Sequence, residues 1–112
     1  MRKSIIVIGV LLISACSPKL IEVTQADADR GASKYSGLTL TALNEGKSLY
    51  TQNCGECHGL KKPNSRTEAN WNSIVPIMVK KLNQKMGKEV IDSKKQEVLL
   101  QYLVTMANAP KK

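Results

Sequence analysis

Residues 54–58 read Cys54-Gly55-Glu56-Cys57-His58: two cysteines three positions apart, with a histidine directly after the second. Only one other cysteine, Cys16, exists in the 112 residues, and His58 is the sole histidine. This concentration of thiols and imidazole narrows the chemistry. A zinc site needs four ligands, and no second Cys/His pair is present to complete one. A thiol–disulfide pair expects a βαβ setting, and no segment of the chain alternates as a strand does. A disulfide-dense scaffold needs more than three cysteines.

C-x-x-C-H is the attachment signature of c-type haem. Each thiol adds across one vinyl group to give a thioether, and the adjacent histidine is then held where it can ligate iron. The surrounding composition agrees. Among 112 residues there are four aromatics (Tyr35, Tyr50, Trp71, Tyr102) and no Phe. A core made of side chains alone would be thin in so short a chain, so a large flat apolar cofactor is expected to supply part of it.

Outward from the motif, three helical patterns appear. The first spans about 42–54, with Thr41 as N-cap and Leu43, Gly46, Tyr50 and Cys54 on one face. The second spans about 68–82 behind Thr67. Its apolar stripe is Trp71, Ile74, Val75, Met78 and Leu82, and Pro76 is expected to kink or divide it. The third spans about 94–107. Ser93 to Gln96 reads as a capping box, and Leu99, Tyr102, Leu103 and Met106 form its apolar face. The expected fold class is all-α: a small fold of about three helices around a covalently bound haem, over residues 41–109.

The N-terminal segment carries a different message. Arg2 and Lys3 precede an apolar run from Ile5 to Ile13, too short to span a bilayer comfortably. The run ends Leu12-Ile13-Ser14-Ala15-Cys16, which resembles a bacterial lipobox. That resemblance implies a signal peptide of residues 1–15, cleavage before Cys16 and lipidation of its thiol. Loss of Arg2 and Lys3 would lower the net charge from +8 to +6. Residues 16–40, rich in Ala, Gly and Ser, read as a lipid-anchored tether that contains a short helix near 25–34. The expected location is a bacterial membrane facing the periplasm or cell surface. The outer membrane is favoured because Ser17, rather than aspartate, follows the cysteine.

Together, residues 43–50, the C-x-x-C-H with Gly59 and Leu60, the Trp71-to-Leu82 stretch and the Leu100-Gln101-Tyr102-Leu103 segment resemble the single-haem, class I-like cytochrome c domains, in particular short bacterial lipoprotein cytochromes. The resemblance covers about residues 38–109. It implies a one-electron carrier, not an enzyme, with one haem c on Cys54 and Cys57 and His58 as the proximal iron ligand. It also implies that the first and last helices cross, with Gly46, Tyr50 and Tyr102 at the contact. Pro63 matches a family proline whose carbonyl can orient the ligating imidazole, although it falls earlier than in longer members.

With no second histidine, a methionine is the natural distal ligand. Met78, seven residues after Trp71, is the first candidate and Met86 the alternative; Met106 fits the core of the last helix better. Lys61, Lys62, Arg66, Lys80, Lys81, Lys85 and Lys88 flank these segments. They read either as a docking ring for an acidic redox partner or as solvated helix faces. Nucleic acid is not an expected partner. Two other functions remain open at this point: a haem-bearing subunit of a larger oxidoreductase, and a five-coordinate haem gas sensor or enzyme.

Overall fold

A computed structural model describes residues 20–54 and 60–110. The expected signal peptide, Cys16, Cys57 and His58 lie outside these residues. Among the described residues the fold is all-α. Four helices run α1 (Gln25–Ala32), α2 (Leu40–Asn53), α3 (Glu68–Met86) and α4 (Ser93–Ala107), with a short 3-10 turn at Pro63–Ser65.

Each helix starts where a side-chain oxygen can take up a free amide. Thr24 Oγ1 accepts from the Asp27 N–H, and the Asp27 carboxylate accepts from the Thr24 N–H, a complete capping box. Thr39 caps α2 and Thr67 caps α3, each through its hydroxyl. Thr39 displaces the expected Thr41. Similarly, Asp92 displaces Ser93 as the cap of α4, its carboxylate accepting from the Lys95 N–H at 2.8 Å. An anionic cap also suits the positive end of a helix.

α3 corrects one expectation. Pro76 sits inside it, yet the helix continues unbroken to Met86. Proline removes one hydrogen bond, and the helix pays for it with the buried stripe of Trp71, Val75 and Val79 on both sides of the break. Gly87 ends α3 at φ +67, a conformation that glycine adopts without strain. Asn83 then holds the returning chain: its amide donates to the Ile91 carbonyl at 3.0 Å and its carbonyl accepts from the Ile91 N–H at 3.1 Å.

The centre of the fold is α4. It packs against α2, α3 and α1, and Leu99, Tyr102, Leu103, Val104 and Met106 are all buried. Burying one such aliphatic side chain contributes roughly 1.5–3 kcal/mol. The crossing with α2 is close. A Cβ built on Gly46 would lie 2.5 Å from Tyr102 Cβ and 2.7 Å from the Val98 carbonyl oxygen. Only a glycine fits, and the contact joins the residues for which the resemblance implies a crossing.

Residues 25–32, inside the stretch read as a tether, form a helix docked on α4. Ala28 is fully buried, and a Cβ on Gly31 would collide with Leu38 and Thr105. Arg30 Nη2 donates to the Thr105 carbonyl at 3.0 Å, while Nη1 pairs with Asp27 at 2.8 Å. Lys34 pairs with Glu68 of α3. The small residues of this segment therefore serve close packing. They also leave Thr105 Oγ1 buried without a hydrogen-bond partner.

Candidate haem attachment site

Cys54 occupies the C-cap of α2, its N–H donating to the Tyr50 carbonyl at 3.0 Å. The thiol is free and half-buried against the apolar core. Burial pushes its pKa up to about 11, so at neutral pH it is un-ionised. Its place at the C-terminal, negative end of a helix also disfavours a thiolate. Redox-active C-x-x-C cysteines have the opposite environment, a helix N-terminus or nearby cations that lower the pKa.

The chain that returns from the motif is clamped. Leu60 packs against the core. The Tyr50 hydroxyl donates to the Lys61 carbonyl at 2.5 Å, and the Trp71 indole N–H donates to the Pro63 carbonyl at 2.8 Å. The carbonyl expected to orient an imidazole is thus already a hydrogen-bond acceptor for Trp71. Tyr50 stacks edge-on against Trp71 at 5.9 Å between ring centres and tilts against Tyr102 at 6.2 Å. The Arg66 guanidinium lies 5.6 Å from the Trp71 ring centre, a cation–π contact. Cys54 and the chain from Leu60 onward therefore lie against one aromatic frame, Tyr50, Trp71 and Tyr102, contributed by α2, α3 and α4.

α3 offers an uncovered apolar flank. Ile74, Ile77 and Met78 follow i, i+3, i+4 spacing and so share one side of the helix. Ile74 and Met78 are half-buried, and Ile77 is 56% exposed. Met86, at the last position of α3, is 50% exposed, whereas Met106 is buried in the core as expected. Trp71 is buried too, but its shown contacts are with Tyr50, Pro63 and Arg66.

These features suit a haem: a neutral thiol beside the core for thioether formation, an apolar flank awaiting cover, and a thioether side chain upon it. Among the described residues no group of three or more His, Cys, Asp or Glu is placed to hold a metal ion. Of the expected basic ring, Lys61, Lys62, Lys80, Lys81, Lys85 and Lys88 are exposed and Arg66 is half-buried. Lys80 and Lys88 line an open cleft of about 600 Å³ between the end of α3 and the start of α4. The role of Asn83 in closing that corner carried no signal in the sequence beyond a polar residue near a helix end.

Comparison with protein-family models, with curated proteins and with solved structures returns no match for this chain.

Proposed function

We propose that the chain is a monohaem c-type cytochrome lipoprotein that carries single electrons outside the cytoplasm. The observation that carries this reading is the C-x-x-C-H motif starting at the C-cap of α2, where Cys54 is a half-buried neutral thiol against an aromatic frame. Cys54 and Cys57 hold the haem, His58 is the proximal ligand and Met78 the distal one. When bound, the group supplies a ferric–ferrous couple.

The rest is the work of the chain. Tyr50 and Trp71 hold the chain that follows the motif, at the carbonyls of Lys61 and Pro63. Ile74 and Ile77 share the side of α3 that carries Met78 and would offer a bound haem an apolar surface there. A methionine ligand favours a higher reduction potential than a second histidine. The exposed Lys80, Lys81 and Lys88 steer an acidic redox partner, and such steering weakens with salt. Among the described residues no helix is long and apolar enough to cross a membrane. Attachment through Cys16, with the outer membrane favoured, is the anchoring that this reading assigns.

The test is the optical spectrum of the chain exported alongside haem-attachment machinery. A c-type α-band is expected, and a weak far-red band in the oxidised protein should report methionine ligation. Met78→Leu should abolish the far-red band and Met86→Leu should leave it. A colourless protein overturns the haem reading. Rapid carbon monoxide binding by the reduced wild type overturns the carrier reading in favour of an open iron site.

A further inference from the structure

The chain is packed from Leu20 onward. Leu20 lies against the core, Val23 is 8% exposed, and α1 is pinned to α4 by Ala28, Gly31 and the Arg30 bond to Thr105. A lipid on Cys16 would therefore be joined to the body by residues 17–19 alone. Four Cα steps span at most about 14 Å, and one headgroup layer takes roughly 5–8 Å of that. About 6–9 Å remains, which keeps the face around Leu20 next to the bilayer surface.

The chemistry of this face fits that neighbour. A groove of about 300 Å³ is lined by Leu20, Ile21, Pro63, Met106 and Pro110, with Lys62 also in its wall. Ile21 is 60% exposed, one of three large apolar side chains, with Ile77 and Met86 of α3, that are at least half exposed among the described residues. Lys61 and Lys62 are exposed beside it, and Lys111 and Lys112 follow Pro110 in the sequence. Glu22 is the exposed acidic residue of the segment. Apolar side chains with basic neighbours suit the surface of an anionic membrane.

We propose that the face formed by Leu20, Ile21, Lys62 and Pro110 rests on the anionic membrane that holds the Cys16 lipid, which fixes the orientation of the domain. This rests on the lipoprotein reading. The groove shares no residue with the Ile74, Ile77 and Met78 flank of α3, although Pro63 and Tyr102 belong both to its wall and to the aromatic frame beside the motif.

The test is amide hydrogen exchange on the full mature haem protein, acylated and reconstituted in phosphatidylethanolamine vesicles containing phosphatidylglycerol. The water-soluble reference is the Cys16→Ser chain exported with a non-lipoprotein leader. Amides of residues 20–24, 61–66 and 106–110 should exchange several-fold more slowly in the anchored protein, while those of α3 match the reference. Ile21→Asp, or a long Gly-Ser insertion between Lys19 and Leu20, should remove that protection while acylation persists. An acylated protein with no local protection overturns the docking proposal alone. Concentration-dependent protection of the same amides in the soluble reference also overturns it, because a second copy then covers the face. A mature chain whose mass shows no acyl groups overturns the anchoring reading itself.

Discussion

Replacing Gly46 by alanine probes the α2–α4 crossing with a single methyl group. The added Cβ would lie 2.5 Å from Tyr102 Cβ and 2.7 Å from the Val98 carbonyl oxygen, against 3.4 Å or more in ordinary contact. One obstacle is backbone and the other the root of a side chain, so neither swings aside. The helices must part locally by roughly 0.9 Å, and a gap of that size forfeits a quarter to a half of each dispersion well across the crossing. Overpacking of this kind costs about 1–3 kcal/mol, occasionally more. Alanine returns about 1 kcal/mol through its higher helix propensity. With the dispersion loss included, the expected net destabilisation is about 2 kcal/mol. For a domain of this size that lowers Tm by about 8–16 °C. Thermal unfolding followed by helical circular dichroism would measure it, with urea unfolding to confirm that the midpoint falls while the slope is kept. Glu45→Ala, at an exposed neighbouring position on α2, is the control for helix propensity alone. A Gly46→Ala protein as stable as wild type would refute the close crossing.

Burial alone would raise the Asp27 pKa, but the Thr24 N–H and Arg30 outweigh it and hold the carboxyl below its ordinary 3.8. Its contribution is present above that value and lost as pH falls below it; Asp27→Asn should lower Tm at neutral pH and have little effect at pH 2. Burial pushes the Tyr50 phenol up to about 12 and Tyr102 further, so the fold keeps them neutral after the unfolded phenols, near 10.0, have ionised. Stability should therefore be insensitive to these groups below pH 10 and fall as pH rises above it, a fall that Tyr50→Phe should reduce in alkaline unfolding. Trp71→Phe leaves the buried Pro63 carbonyl without its indole donor and should cost about 1–3 kcal/mol, measured by urea unfolding.

The parts of the fold legible in the sequence were those governed by one-dimensional signals. Leu43, Gly46 and Tyr50 of α2 and Leu99, Tyr102, Leu103 and Met106 of α4 fall at helical spacing, and all are buried. Thr67 caps α3 as expected, whereas α2 is capped by Thr39, two residues before the expected Thr41. α4 was harder, because Val104 and Thr105 lie off its main stripe and are buried as well. That burial follows from α1, whose Ala28 and Gly31 gave no hydrophobic signal. Small residues suit both a loose linker and a close helix contact, and only the packed partner distinguishes them. Pro76 was read through its local cost, while the tertiary burial on both sides of it decided the outcome. At the candidate site, the sequence shows the spacing of the two cysteines and the histidine. What it could not show was the burial that pushes the Cys54 thiol up, or the Tyr50 and Trp71 bonds that clamp the chain beyond it.

The docking of α1 has a mechanical consequence. Any tension applied at the N-terminal end meets the packed Leu20 and Val23 and then α1, where Arg30 bonds to the last turn of α4, while Lys34 just beyond α1 pairs with Glu68 of α3. Those contacts lie upstream of α2 and share the load between two other helices. α1 thus works as strain relief, as a clamp on a cable does, and a tug at the chain end need not bend the helix that presents Cys54.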